Sequence, residues 1–435
     1  MNTAQHISRR ERLSAAMGRG VAIIPTAPER VRNRDAHYPY RFDSYFYYLT
    51  GFREPDAVLV VVAGDDARSI LFCREKNEER EIWDGYRYGP DGAREAFGFG
   101  EAHSLAKLDE IMPQLLSDQP LLYCHLGADA AWDVRVMAWL NEVRSRARAG
   151  VTAPQRISDV HAPLDEMRLV KDAPEIAAMR RAAVISAGAH VRAMRSARPG
   201  ATEFAVEAEL MHEFRRHGAQ APAYSPIVAG GRNACVLHYV ENSAALRDGD
   251  LLLIDAGCEL DGYAADITRT FPVNGRFSAP QREIYELVLN AQAAAIDEVK
   301  PGNRWIAPHD AAVKVLVRGL LDLGLLRGSL DEALESESYK RFYMHRTGHW
   351  LGLDVHDVGD YKRDGQWRTF VPGMTLTVEP GCYIRPSPDV PAHFANIGVR
   401  IEDDVLVTET GCEIMTAAAP KSVAEIEALI SARDA

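Results

Sequence analysis

The stretch LLLIDAGCELDGYAADITRTF, residues 251–271, decides how the second half of the chain folds. Leu251–Ile254 is an apolar run fit for a buried strand, yet it ends on Asp255. A turn follows, and Gly262–Phe271 reads as a returning strand that carries Asp266 eleven residues after Asp255. Two later segments repeat this combination of core-grade strand and carboxylate. Thr375–Glu379 is stopped by Pro380-Gly381 just after Glu379, and Gly398–Leu406 carries Glu402. Strand side chains alternate, so Val399 and Ile401 face one way while Arg400 and Glu402 face the other.

Taken singly, each of these acids reads as a cap, a turn residue or half of a salt bridge. Together they pose a problem, because an unpaired carboxylate in a β-rich core costs several kcal/mol or becomes protonated. Four of them need divalent cations or several arginines, and only Arg400 and Arg269 lie nearby in sequence. His345, His349 and His356 follow in MHRTGHWLGLDVH, residues 344–356. His345 and His349 have the spacing of a zincin helix, but Arg346 stands where the glutamate belongs, which excludes that motif. His212 and His217 are five apart, too far round a helix to share an ion. His190, His309 and His393 stand alone and read as ordinary surface or core histidines, as His238, His345 and His356 would if isolated. One imidazole among four carboxylates is an oxygen-rich donor set, which favours Mn²⁺ over a structural zinc. Two divalent ions balance four carboxylates, and ions about 3.5–4 Å apart can share a bridging hydroxide as nucleophile. Peptide hydrolysis fits that chemistry better than redox or group transfer.

The remaining sequence bounds the setting. At 435 residues the chain exceeds one ordinary core, so two domains are expected. A net charge of -12 disfavours nucleic acid and anionic membrane as partners. Residues 1–17 are polar with no apolar run behind them, unlike a secretory signal, and the apolar runs elsewhere are too short to span a bilayer. Six cysteines without a CxxC pair read as buried thiols in a reducing cytoplasm. Apolar runs at 21–24, 57–62, 69–72 and 121–123, with a helix over 131–148, predict an α/β first domain ending at a loop over 150–163. Residues 1–165 and 166–435 are the expected domains. In the second, Asp172-Ala-Pro-Glu175, Ser278-Ala-Pro-Gln281 and Ser422-Val-Ala-Glu425 carry capping-box signatures. They open helices expected over 173–197, 279–299 and 422–432; further helices are expected over 202–217 and 308–324. Interleaved strands make this half α+β.

At this level the sequence resembles the pita-bread metallopeptidases and, within them, the aminopeptidase P family. The resemblance rests on residues 253–259, 262–275, 349–359, 377–383 and 398–404. Residues 38–41, 46–52, 54–58 and 81–83 resemble the family's creatinase-like N-terminal domain, so nearly the whole chain is covered. The resemblance implies a C-terminal pita-bread domain with a curved, mostly antiparallel sheet. It implies two Mn²⁺ ions, one held by Asp255 and Asp266, the other by Asp266, His349, Glu379 and Glu402, with Asp266 and Glu402 bridging. Glu379 would handle the proton of the bridging water. His238 and His356 would contact the substrate carbonyl and the developing gem-diolate, and His345 would shape the proline pocket. Arg400 and Tyr383 would support the metal ligands. The departure is Arg346-Thr347-Gly348, which replaces smaller or apolar residues between the two histidines and bears on the proline pocket.

The implied activity is hydrolysis of the N-terminal Xaa-Pro bond of peptides with proline second. That bond is a tertiary amide with a fixed φ, which general peptidases fit poorly. The alternatives are a prolidase limited to Xaa-Pro dipeptides and a metal-free pita-bread module that binds protein partners. Retention of all five expected ligands argues against the second. The resemblance further implies a homodimer or homotetramer, with the N-terminal domain at the subunit contacts and the rim of the site, where Trp83 and Tyr86 are candidates.

Overall fold

The computed structural model describes residues 3–432. The chain divides between Arg168 and Leu169 into two compact units.

The first unit is built on a six-stranded mixed sheet. Its strands run in the order Glu101–Ser104, Arg68–Cys73, Val58–Ala63, Gly20–Pro25, Leu121–Tyr123 and Arg156–Ser158. The central strands read as unbroken apolar runs because both faces are covered. Val21, Ile23, Val58, Val60, Ile70 and Phe72 share a core with Met112, Trp139 and Leu140 of the helices Leu108–Leu116 and Ala130–Ser145. Helices Thr3–Met17 and Ser44–Thr50 pack on strands Val58–Ala63 and Gly20–Pro25. The segment expected to be a loop over 150–163 instead contributes the edge strand Arg156–Ser158 and the start of helix His161–Leu169. Its polar, proline-containing composition hid a strand that needs only to pair with Leu121–Tyr123.

The second unit is α+β. Helices Ala173–Ser196, Glu203–Arg216, Ala279–Asp297 and Ala307–Asp322 pack around short antiparallel sheets and one extended core. The three capping boxes form as their sequences suggest, and a fourth, Ser329 with Glu332, opens helix Leu330–Glu335.

Two strands expected to be continuous are broken, and both breaks serve the acids. Residues 262–271 split into Tyr263–Ala264 and Thr268–Pro272. Between them the chain leaves the ladder: Ala265 N donates to Cys258 O at 3.0 Å, and Ala256 N donates to Ile267 O at 3.0 Å. Asp266 sits in this irregular turn, re-aimed as in a bulge. Gly257 makes the crossing possible, because a Cβ there would lie 1.7 Å from Ala265 O. Likewise 398–406 divides into Ile397–Arg400, which pairs with Gly381–Ile384, and Asp403–Val407, which pairs with Thr375–Val378. Glu402 lies at the change of partner, where its N–H donates to Thr268 O at 3.1 Å.

Candidate metal centre

These breaks bring the predicted acids to one place. Asp255 ends strand Leu251–Asp255, in register with Thr268, and accepts from Arg400 Nη2 at 2.6 Å and Tyr224 O–H at 2.6 Å. The Tyr224 hydroxyl also contacts Asp266 Oδ1. Asp266, His349 and Glu402 each offer a ligand atom, all within 4.8 Å of one another. His349 Nε2 lies 3.4 Å from Asp266 Oδ2 and 3.7 Å from Glu379 Oε1. Its Nδ1 lies 2.9 Å from the Trp350 carbonyl, which accepts only, so the proton sits on Nδ1 in the neutral ring and Nε2 is left to face the acids.

The loop that carries His349 is clamped to strand Thr375–Val378. Thr377 N donates to His349 O at 2.9 Å, and Glu379 N donates to Thr347 O at 2.8 Å. Gly348 permits this approach, since a Cβ would meet Thr377 O at 2.0 Å. The sequence thus needs glycine at the residue before the histidine for a backbone reason.

The electrostatics are those of a site short of positive charge. Burial, then the charge of Asp255, pushes Asp266 up. Burial and the neighbouring acids push Glu402 well above the usual carboxylate range, and burial pushes Glu379 up to about 7. Behind them Asp404, buried and accepting from Asp266 N at 3.1 Å, is also pushed well up by burial and Asp266. For His349, burial alone would lower the pKa, but the Asp266 hydrogen bond and the charges of Glu379 and Asp266 outweigh it, raising it to about 9. Arg400 is the cation committed to the cluster: it donates to Asp255, to Tyr383 Oη at 3.0 Å and to Thr268 Oγ1 at 3.1 Å. Arg269 is engaged elsewhere, with Asp403 at 2.7 Å and with main-chain carbonyls. One arginine cannot neutralise this many buried acids, and the oxygen-rich donor set fits a pair of hard divalent cations.

A cavity of about 730 Å³ opens over the cluster. His238, His345 and His356 line it together with Asp255, His349 and Glu379. His356 packs edge-on against His349 with ring centroids 4.4 Å apart. His345 Nε2 lies 2.9 Å from Tyr383 Oη, with its Nδ1 2.7 Å from Arg346 O.

Some residues here were not anticipated. Tyr224, which joins Asp255 to Asp266, lies outside every strand that carries an acid, and no local pattern marks it. Asp404 stands two residues after Glu402, and that strand alternation was the only available signal. His309, expected to have no company, lines the cavity and lies 2.8 Å from Thr347 Oγ1. His217 pairs with Glu213 on the surface at 2.9 Å, away from the cluster. In the first unit, His125, Asp159 and His161 also converge. The two imidazoles stack at 3.9 Å with 22° between planes, so their in-plane lone pairs do not meet at one ion.

Comparison with known proteins agrees with this geometry. Residues 177–409 match the model of metallopeptidase family M24, and residues 6–123 match the aminopeptidase P N-terminal domain. The chain is 47% identical to Xaa-Pro aminopeptidase of Escherichia coli over 427 residues, covering 98% of this chain and 97% of the relative. Its fold is similar to that of the aminopeptidase PepP of Pseudomonas aeruginosa, with TM-score 0.98 and 52% identity over 100% of this chain and 99% of the other. It is also similar to an Escherichia coli aminopeptidase P variant in complex with substrate, with TM-score 0.97 and 46% identity over 100% and 99%.

Proposed function

This chain belongs to metallopeptidase family M24, and from that membership we propose how its residues share the work of cutting an Xaa-Pro bond. It is a metal-dependent exopeptidase of the Xaa-Pro aminopeptidase kind, with a pair of divalent cations, Mn²⁺ or similar, in its active site. Asp255 and Asp266 would hold one ion, and Asp266, His349, Glu379 and Glu402 the other, with Asp266 and Glu402 shared. When bound, the ions polarise the scissile carbonyl and make water acidic enough to attack at neutral pH. The observation that carries the assignment is the convergence of buried, mutually repelling carboxylates on His349 Nε2.

The side chains then have distinct tasks. Glu379, at the cavity wall, would take the proton of the attacking water and deliver it to the proline nitrogen. His238 and His356, both on the cavity wall and uncommitted to the acid cluster, would bind the carbonyl oxygen as charge develops on it. His345, fixed by Tyr383, would shape the proline side. Arg400, Tyr383 and Tyr224 would orient the ligands, a supporting role that such sites normally need. The free α-amine of the substrate would dock on the carboxylate oxygens that hold the cations, which restricts cleavage to the N-terminus.

The relatives matched over nearly their whole length are Xaa-Pro aminopeptidases, which supports peptides extending beyond the proline over the dipeptide-only prolidase reading. Six cysteines, all free, fit a reducing cytoplasm. Among the described residues no helix is long and apolar enough to cross a membrane. Ile82, Trp83 and Tyr86 stand exposed on the first unit, which fits a homodimer or homotetramer formed through that unit, as sedimentation would test. The activity test is an Mn²⁺-loaded assay on an Xaa-Pro-Yaa tripeptide, its N-acetylated form and an Xaa-Pro dipeptide, with chelation and add-back. The free tripeptide is expected to be cut fastest. Equal cleavage of the acetylated peptide removes the amine argument, and cleavage of the dipeptide alone favours the prolidase reading.

A further inference from the structure

The cavity has a second charged feature that hydrolysis does not use. Arg346 and Lys362 both line it, and both are exposed. The other cations nearby are committed. Arg400 is spent on Asp255 and Tyr383, and Arg385 donates to Cys235 O at 2.9 Å. Among the described residues neither Arg346 nor Lys362 has a carboxylate within ion-pair distance. Asp310 is the acid that senses Arg346, and burial raises its pKa, which weakens it as a counter-charge.

Both cations are held on firm supports. Thr347, next to Arg346, is fixed by His309 at 2.8 Å and Tyr343 at 2.6 Å, and its carbonyl accepts from Glu379 N. Arg346 therefore projects from the same clamped loop as His349. Lys362 stands on a two-residue hairpin, Lys362–Arg363 against Gln366–Trp367, whose turn residues Asp364 and Gly365 have φ of 49° and 75°. Its Nζ lies 4.2 Å from the centroid of the Trp367 ring. The hairpin is anchored beside Trp305, whose N–H donates to Arg368 O at 2.7 Å. The cavity thus has an acidic floor and a lining that carries Trp305, Tyr361 and Trp367 together with two cations that, among the described residues, lack a carboxylate partner.

We propose that Arg346 and Lys362 form a carboxylate-recognising wall, so that the enzyme favours peptides bearing a carboxylate beyond the proline. This deepens the Xaa-Pro reading above and rests on it. A short peptide is a dipole with its amine at one end, and the floor takes that end. Arg346 directly follows His345, the residue assigned to the proline side, and Lys362 lines the same cavity, so the proposal sets both toward the chain leaving the cut bond. The carboxylate has two sources, an acidic side chain just after proline or the C-terminus of a short peptide.

The test is kcat/KM of the Mn²⁺-loaded full chain on four peptides: Ala-Pro-Glu-amide, Ala-Pro-Gln-amide, Ala-Pro-Ala and Ala-Pro-Ala-amide. Exposed ion pairs are modest, so the wild type should prefer Glu over Gln by about threefold to tenfold at low salt, shrinking as salt rises. A matching preference for Ala-Pro-Ala over its amide would add the C-terminus as a source. The Glu/Gln ratio should collapse towards one in the double variant Arg346→Ala, Lys362→Ala and invert in Arg346→Glu, Lys362→Glu. Calorimetric binding of the product dipeptides Pro-Glu and Pro-Gln gives a second readout independent of turnover, with the same order expected. If all peptides are cut but neither ratio exceeds one, or the ratios do not respond to the variants, the carboxylate wall is wrong and the peptidase reading stands. If no peptide is cut, both fall.

Discussion

Loading the metal centre should drive protons out of it, and the structure sets roughly how many. In the metal-free cluster His349 is held protonated up to about 9, and Glu379 up to about 7. Both must be deprotonated to ligate, so binding competes with protons and affinity rises with pH. At pH 7 His349 carries nearly a whole proton and Glu379 about half, giving release of about 1.5 protons from these two groups. Between pH 7 and 9 the two together should raise apparent Mn²⁺ affinity about a hundredfold, equivalent to ~2.7 kcal/mol. Glu402 and Asp404, pushed well up by burial and the neighbouring acids, add to the release. Titration calorimetry of the chelated protein with Mn²⁺, in buffers of different ionisation enthalpy, counts the protons directly. An affinity flat from pH 7 to 9, with no buffer-dependent heat, would refute the reasoning, because the acids would then be ionised without their cations.

Other consequences can be checked alongside it. Tyr224→Phe removes the hydroxyl that joins Asp255 to Asp266, and metal affinity should fall about 10- to 100-fold while the fold, read by circular dichroism, persists. Arg269→Met removes one of the two cations on the buried Asp403, which keeps Lys421 at 2.6 Å, and leaves the carbonyls of Glu402 and Ala419 short of a donor; denaturant unfolding should show a loss of about 1–3 kcal/mol, and no loss would contradict the pairing. His190 is buried against Ala256 O, and burial lowers its pKa from 6.5 to about 4. The unfolded chain therefore binds the proton more readily, so this contribution is full above pH 6.5 and lost as pH falls towards 4, amounting to about 3 kcal/mol at most. His190→Gln should flatten the pH dependence of stability in that window.

How much was legible follows from what kind of signal each feature leaves. Acids at the ends of apolar strands are conspicuous because solvation makes them costly there, so Asp255, Asp266, Glu379 and Glu402 stood out from local pattern; in the structure Asp266, Glu379 and Glu402 lie about His349, and Asp255 joins Asp266 through the Tyr224 hydroxyl. Helix starts were legible for a similar reason, since a capping box is a local hydrogen-bond arrangement. Strand continuity was not. The breaks at 265–267 and 401–402 depend on which distant strand is the partner, as in the bond from Glu402 N to Thr268 O, and periodicity within one strand carries no such information. Tyr224 and His309 were missed because each reaches the site through a contact distant in sequence. The edge strand Arg156–Ser158 was missed because it borrows its order from a neighbour.

The central claim is that these carboxylates coexist because two cations hold them. Crystals of the protein grown with Mn²⁺, measured on both sides of the manganese absorption edge, test it most directly. Two anomalous peaks about 3.5–4 Å apart, ligated by Asp255, Asp266, His349, Glu379 and Glu402, are predicted. An empty cluster, or a single ion bound elsewhere with these side chains turned to solvent, would contradict it.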